Sequence, residues 1–246
     1  MTDPKTERFP PPLADLLGKL SSRRVSPDVA LDPVFHLRYE AYRRENFIPV
    51  NQEEICVDDL DETPNGMTFG IYVEDRLVSS IRVHLLTAEQ RASPSMKVFP
   101  DILGPMLDKG MTFIDPSRFT IDRDATLALP ALPFLTLRIT TMATEYWNVD
   151  YTLSVVRPEH GAFYRRVFTA EKIGELRHYP GLDFDVELFR SRYQSVRGRV
   201  GQRFPIFKST PEERKALFGP RPADDPFPHV RPTAIEADMA ELQTGD

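Results

Sequence analysis

The sequence predicts a mixed α/β fold in which helices pack across one central sheet. Strand-like and helix-like stretches alternate between residues 26 and 200, where most of the β-branched and aromatic residues lie. Of the 246 residues, 41% are hydrophobic, which suffices for one domain with its own core. We therefore expect one domain over 26–200, between an N-terminal extension over 1–25 and a proline-rich C-terminal extension over 201–246.

The first elements of this domain are a helix and a β-hairpin. Apolar residues recur at helical spacing in 33–47, and this stretch begins with a proline that suits the first turn of a helix. Two strand-like stretches follow at 67–74 and 76–86, separated by a short polar turn. The short connection predicts that these two strands pair as a hairpin.

A third strand at 113–122 contains Pro116, which has no N–H to donate and therefore demands a sheet edge or a bulge. We expect a bulge here. The remaining predicted elements are a helix at 132–147, a strand at 149–156, a helix at 159–168 and two short strands near 172–178 and 183–190.

Composition excludes several classes of function. Lys and Arg total 31 against 37 Asp and Glu, and the formal charge of −6 gives no general attraction to nucleic acid or anionic lipid. Cys56 is the only cysteine, which excludes an internal disulfide and a multi-thiolate metal site, and the five histidines lack paired metal-ligand spacing. Because the N-terminal residues show no signal peptide and no membrane span, we expect a cytoplasmic protein without an integral membrane segment.

Four pieces of sequence resemble one known group of enzymes when they are taken in order. These are LRYEAYRRENF at 37–47, the acidic cluster at 58–61, SSIRVH at 79–84 and DPSRFTID at 115–122. Their order and spacing are similar to the N-acyl amino acid synthases and the related acyl-homoserine-lactone (autoinducer) synthases. This resemblance implies the GNAT acyltransferase fold, with a mixed, mostly antiparallel twisted sheet.

The resemblance also implies a charged cluster that organises the site. Three cations and three anions are expected to neutralise one another there, because partly buried ions are tolerated when they are paired and hydrogen-bonded. Solvated ion pairs are the alternative. The implied site-organising residues are Arg38, Asp58, Asp61, Arg82, Asp115, Ser117, Arg118 and Phe119.

The stretch 156–189 favours the N-acyl amino acid synthases, because its HGAFYRR run and its Tyr-Pro-Gly turn at 179–181 are similar to theirs. By resemblance to the general-acid position of GNAT enzymes, Tyr164 is a candidate proton donor, with Asp115 and Arg118 as further candidate catalytic residues. Asp115 would orient the amine or accept a proton through water. The alternatives are a structural ion-pair member for Asp115 and a core aromatic for Tyr164.

The donor is expected to be an acyl carrier protein. Coenzyme A-binding GNAT proteins hold pyrophosphate on a glycine-rich loop, whereas the loop at 122–133 here has no glycine. This favours the acyl-phosphopantetheine thioester of a carrier protein, with no permanently bound cofactor. Carrier proteins are acidic, so basic residues are candidates for docking them, although a basic run is also typical of a solvated surface. These residues are Arg165, Arg166, Arg197, Arg199 and Arg203.

We therefore predict an N-acyltransferase that moves a long-chain acyl group from acyl carrier protein to the amine of a small-molecule amino acid. One alternative is an acyl-homoserine-lactone synthase that uses S-adenosylmethionine. Another is a catalytically silent GNAT-like module that binds acyl groups or carrier protein. A nucleic-acid partner is not expected.

Overall fold

The computed structural model describes residues 17–25, 32–221 and 227–233, which form one seven-stranded sheet flanked by helices. The predicted fold class is confirmed. The strands are β1 (Leu20–Arg24), β2 (Gly66–Val73), β3 (Arg76–Leu86), β4 (Phe113–Ile121), β5 (Tyr151–Val156), β6 (Glu171–His178) and β7 (Asp185–Ser191). The helices are α1 (Pro33–Arg44), α2 (Pro94–Val98), α3 (Pro100–Asp108), α4 (Arg123–Ala128), α5 (Leu132–Trp147), α6 (Gly161–Phe168), α7 (Tyr193–Arg203) and α8 (Pro211–Phe218).

The strand order is β1-β2-β3-β4-β5-β7-β6, and only β4 and β5 pair in parallel among the described strands. Their pairing is brief, joining Phe113 to Tyr151 and Ile114 to Thr152. Beyond these residues the two strands separate, so Pro116 has no paired neighbour on β5. The separation opens a gap in the middle of the sheet.

The predicted hairpin and its tight turn are confirmed. Val73 pairs with Arg76, so the turn consists of Glu74 and Asp75, which have φ angles of 49° and 66°. Two consecutive left-handed residues match the right-handed twist of the two strands, which is the usual solution for a two-residue hairpin.

The predicted bulge in β4 is also confirmed. Ser80 of β3 lies opposite Thr120, whereas Arg82, two residues further along β3, lies opposite Ser117. The one extra residue of β4 is accommodated at Arg118, whose φ of 51° is left-handed. A bulge bends the strand and re-aims a side chain, which here is the Arg118 guanidinium.

The core occupies both faces of the sheet. On one face α5 buries Leu135, Ile139 and Met142, which are three residues of its predicted apolar face. On the other face, Phe99 and Leu103 beside the short helices α2 and α3 pack against β4, β5 and β7. The sheet is therefore covered by α5 on one side and by α1, α2 and α3 on the other.

The structure differs from the predicted division of the chain, because elements outside 26–200 join the same core. The strand β1 pairs with β2, and its Leu20 is buried. Helix α8 lies within the predicted C-terminal extension, yet it packs on α5 and buries Phe218. The prolines around both elements suggested surface extensions. Both elements nevertheless belong to the core, because a few of their apolar residues are buried there.

The other differences concern boundaries and short elements. Helix α1 ends at Arg44 rather than at 47, and β5 begins at Tyr151 rather than at 149. Short helices that begin with proline, such as α2 and α3, have too few residues to show a helical period in the sequence. Among the described helices, none combines the length and the apolar character needed to cross a membrane.

Candidate functional site

A network of buried arginines and aspartates connects α1 to the sheet; we call it the site network. Arg38 comes from α1, Arg82 from β3 and Arg118 from the bulge of β4, while Asp58 and Asp61 flank a turn of 3-10 helix between α1 and β2. The side chains of Arg38 and Arg82 are 0% exposed. The resemblance therefore identified residues that the fold brings together.

Each carboxylate of the site network contacts two arginines. Arg38 Nη1 lies 2.8 Å from Asp61 Oδ1, and Arg82 Nη1 lies 3.0 Å from the same oxygen. Arg82 Nη1 also donates to Asp58 at 2.6 Å, and Arg118 donates to Asp58 through Nε at 3.0 Å and through Nη2. Burial acts to raise the pKa of Asp58, but the hydrogen bonds and charges of Arg82 and Arg118 outweigh it and hold that pKa well below its usual range.

The 3-10 turn orients the two carboxylates by using its own backbone. Asp58 accepts a hydrogen bond from the N–H of Leu60 at 2.9 Å, and Asp61 accepts one from the N–H of Asp58 at 3.1 Å. This reciprocal arrangement is a capping box. The remaining acid of the cluster, Asp59, points outwards and pairs with Lys97 at 2.7 Å.

Arg118 has a distinct place in the site network. Its guanidinium lies 5.4 Å from the centre of the Tyr42 ring, and its Nε and Nη2 are used by Asp58. Its Nη1 is buried and has no hydrogen-bond partner within the residues that the structure describes. Sequence inspection quoted Tyr42 within a motif but did not single it out.

Asp115 does not join the arginines, so the expected balance of three cations and three anions is wrong. It is fully buried, and its two oxygens accept from the backbone N–H of Ser95 at 2.9 Å and from the Ser95 hydroxyl at 2.6 Å. Burial raises the pKa of Asp115 above its usual value despite these hydrogen bonds. The carboxylate fixes the start of α2, and the charge of Arg82 acts on it without a direct ion pair.

His84 is a buried neighbour of the site network that sequence inspection passed over. It follows Arg82 on the same face of β3, and its Nε2 lies 3.0 Å from the carbonyl oxygen of Leu60. Burial and the charge of Arg82 lower its pKa to about 4. The ring is therefore neutral at physiological pH, and its Nε2–H donates to Leu60.

A cavity of about 240 Å³ lies where β4 and β5 separate; we call it the splay cavity. Its wall includes Ser117 and Phe119 of the bulge. Asp115 of β4 and Tyr164 of α6 also line it. Tyr164 is partly buried, and this burial raises its pKa to about 12. Its phenol therefore keeps its proton at neutral pH and is chemically able to donate it.

A second cavity, of about 440 Å³, adjoins the first; we call it the loop pocket. Arg118, Tyr179 and Pro94 line both cavities, so the two spaces meet at these residues. Its wall is about equally polar and apolar, and the loop after α1 supplies apolar side chains such as Ile48 and Ile55. Tyr179 belongs to the Tyr-Pro-Gly turn noted in the sequence, but no role was predicted for it.

The glycine-free stretch after β4 folds as α4 and the entry to α5. Asp122 caps α4 by accepting from the N–H of Ala125 at 2.9 Å. At the start of α5, the N–H groups of Leu132 and Phe134 donate to backbone carbonyls, and Pro133 between them has no N–H. A pyrophosphate would find no free helix N-terminus at these residues.

The predicted docking arginines fall into separate groups. Arg166 of α6 and Arg199 and Arg203 of α7 line one groove of about 230 Å³, which we call the arginine groove. Arg165 packs 5.7 Å from the ring of Phe189, away from this groove. Arg197 lies on the opposite face of α7, where its charge acts on Glu145 of α5.

No group of three potential metal ligands is found within the described ranges. Cys56 is partly buried and lines the loop pocket.

Comparisons with known proteins show the family and the fold of the chain. The family model described as N-acyl amino acid synthase FeeM matches residues 33–192. The structure of FeeM, from uncultured soil microbes, superposes with a TM-score of 0.58 at 18% identity, covering 73% of this chain and 93% of that chain. No protein of curated function matches the sequence significantly.

Two further solved structures show the same architecture. TofI in a ternary complex with an inhibitor and MTA gives a TM-score of 0.54 at 14% identity, covering 79% of this chain and 98% of that chain. BjaI, a CoA-dependent acyl-homoserine lactone synthase with MTA, gives 0.52 at 13% identity, with 74% and 90% covered. At these identities the likeness establishes the fold.

Proposed function

Because the chain belongs to the N-acyl amino acid synthase FeeM family and is an acyltransferase, we propose that it transfers a long-chain acyl group from acyl carrier protein to an amino acid. The observation that carries this proposal is the splay cavity, which opens between two sheet strands beside a protonated tyrosine and a bulge. A cavity with a few convergent polar groups is the usual form of such a site.

The reaction is the aminolysis of a thioester. The free amine attacks the thioester carbonyl, a C–N bond forms, the C–S bond breaks, and the amine loses a proton while the departing thiolate gains one. Tyr164 is the proposed proton donor to the thiolate. Backbone N–H groups that the bulge at Arg118 releases from the ladder are the proposed donors to the tetrahedral oxyanion.

Asp115 is proposed to position the site rather than to act on the amine. Both of its oxygens are occupied by Ser95, and its side chain is fully buried in the wall of the splay cavity. By holding the start of α2, it places Pro94 between the two cavities. The network arginines and aspartates hold α1 and its loop over the sheet in the same way.

The acyl chain is proposed to run from the splay cavity into an apolar slot behind Tyr164. Leu137 of α5, Leu153 of β5 and Phe168 of α6 line this slot, whose volume is about 20 Å³. A long acyl chain is larger than that, so α5 and α6 have to move apart when it binds.

Two observations support a carrier-protein donor. The first turn of α5 offers no cradle for the pyrophosphate of coenzyme A, because its N–H groups are already used. The arginine groove supplies three guanidiniums without an ion-pair partner in the described structure, and an acidic carrier protein complements them.

The test supplies the purified chain with decanoyl acyl carrier protein or decanoyl-CoA at matched concentration, together with a mixture of amino acids. We expect thiol release that depends on the amino acids, an N-decanoyl amino acid in the mass spectrum, and faster turnover with the carrier protein. Equal or faster turnover with the CoA thioester would overturn the donor assignment. Acyl-homoserine lactone formed on addition of S-adenosylmethionine would favour the alternative of an acyl-homoserine-lactone synthase, whose fold this chain shares.

The docking site is tested by replacing Arg166, Arg199 and Arg203 together with Gln. We expect the KM for the acylated carrier protein to rise several-fold and its salt dependence to flatten, because screening acts on charges that the variant lacks. Arg197→Gln, on the opposite face of α7, provides the matched comparison. It should change the KM for the acylated carrier protein and its salt dependence much less. An unchanged salt response in the triple variant would place the docking site elsewhere.

A further inference from the structure

The site network carries more positive than negative charge. Within the described residues its ion pairs join three arginines to two aspartates, because Asp115 hydrogen-bonds to Ser95 and interacts with Arg82 only at a distance, through charge. The one other carboxylate that lines the loop pocket, Asp59, is paired with Lys97. A buried cation is costly unless an anion accompanies it, so this arrangement favours the arrival of an anionic group.

The excess positive charge has an identifiable position. Arg118 gives its Nε and Nη2 to Asp58, which it shares with Arg82, and keeps Nη1 without a partner among the described residues. Only 12% of the Arg118 side chain is exposed, and its guanidinium packs over the Tyr42 ring. The unused donor therefore has a fixed position.

Arg118 also marks the place where the two cavities meet. It lines the splay cavity, where the thioester is proposed to react, and the loop pocket, whose wall combines polar groups with apolar side chains from the loop after α1. An anionic group on Arg118 would therefore lie between a reaction space and a space of about 440 Å³ for a side chain. An α-amino acid has this arrangement of amine, carboxylate and side chain around one carbon atom.

We propose that Arg118 binds the α-carboxylate of the acceptor through Nη1, with the acceptor's side chain in the loop pocket and its amine in the splay cavity. This inference rests on the proposed acyl transfer to an amino acid, and it explains how the acceptor is recognised. Hydrogen bonds between charged groups are short and strong, so the carboxylate adds both affinity and orientation. The apolar wall at Ile48, Ile55 and Tyr179 favours acceptors with a sizeable uncharged side chain over glycine.

The first experiment leaves the protein unchanged and removes the carboxylate from the acceptor. Phenylalanine is compared with phenethylamine, and leucine with isopentylamine, with decanoyl acyl carrier protein as donor. We expect kcat/KM to fall about 10- to 100-fold for each amine, as for a lost hydrogen bond to a charged group. Equal kcat/KM within each pair would overturn this inference while leaving the acyl transfer intact.

A binding experiment separates this inference from the proposed reaction. The affinity of N-decanoyl-phenylalanine is compared by calorimetry with that of N-decanoyl-phenethylamine, which needs neither donor nor turnover. We expect at least tenfold tighter binding of the carboxylate-bearing compound. Equal affinities would contradict the carboxylate site even if turnover with amino acids were observed. Absence of turnover together with the expected affinity difference would instead count against the proposed reaction.

The third experiment uses Arg118→Lys, which keeps the charge but loses the fork geometry. We expect kcat/KM to fall by a larger factor for phenylalanine than for phenethylamine, so that the preference for the carboxylate-bearing acceptor shrinks about tenfold or more. A purely structural role would lower kcat/KM for both acceptors by the same factor, and that result would contradict the proposal. Arg91→Lys, which alters an exposed pair with Asp108, is the matched control.

Discussion

Two buried arginine networks lie on opposite faces of the sheet, and only one of them adjoins cavities. The site network described above has three arginines for two aspartates and borders both cavities. The second, which we call the scaffold network, pairs Arg138 of α5 with Glu213 of α8, and both side chains are less than 5% exposed. Arg138 also donates to the carbonyl of Lys208 at 2.8 Å, and Thr233 Oγ1 donates to Glu213 at 2.6 Å.

The difference between the two networks indicates their roles. In the scaffold network Arg138 pairs directly with Glu213, and the charge of Glu145 also acts on Arg138, so this arginine is compensated where α8 joins α5. An unbonded buried nitrogen does not distinguish the networks by itself, because both Arg38 Nε and Arg138 Nε are unbonded. The excess charge and the adjoining cavities distinguish them. We infer that a balanced, enclosed network stabilises the fold, whereas an unbalanced network beside a cavity serves a ligand.

The largest expected effect comes from Arg82→Ala. Arg82 contacts both aspartates of the site network and Ser117, so its removal leaves each carboxylate with one arginine instead of two and empties a fully buried position. We expect a loss of about 3–5 kcal/mol in the free energy of unfolding, with activity falling in parallel. Urea unfolding and turnover per folded molecule measure the two effects. Wild-type unfolding together with lost turnover would show that Arg82 acts directly on the substrate.

Arg138→Met should destabilise the protein by a smaller amount, about 3 kcal/mol. The substitution takes the arginine away from the Glu213 carboxylate, which keeps its hydrogen bond from Thr233. Turnover per folded molecule should remain within about twofold of wild type, since nothing in the scaffold network borders the splay cavity. A tenfold loss of turnover at unchanged stability would remove the distinction between the networks.

The smallest effect concerns acid sensitivity. The pKa of His84 is lowered from 6.5 to about 4 by burial and by Arg82, so the unfolded chain binds a proton more readily than the folded chain between these values. The contribution of the neutral His84 ring to the free energy of unfolding is fully present above about pH 6.5. It is lost as the pH falls through 4. His84→Gln should remove about one proton from the pH dependence of unfolding over this range. Identical pH profiles for the two proteins would contradict the neutral, buried assignment.

Periodicity along the chain predicted the sheet and its main helices, and the resemblance in motif order predicted the three arginines and two aspartates of the site network together with Asp115, which lies outside it. The sequence could not predict the partner of Asp115, since Ser95 lies 20 positions away on a helix too short to show a period. The assumed charge balance was therefore wrong, and the excess charge at Arg118 emerged only from the structure. The scaffold network was missed for a similar reason, because 75 positions separate Arg138 from Glu213.

The most direct test of the catalytic proposal is single-turnover thiol release by Tyr164→Phe. The substitution keeps the ring beside the splay cavity and removes only the hydroxyl, so melting should match wild type. With decanoyl acyl carrier protein and saturating amino acid, we expect acyl transfer to slow by about 100-fold, the lower end for a positioned general acid because a thiolate leaves readily. A change smaller than about threefold would contradict proton donation by Tyr164 and leave it as a packing aromatic.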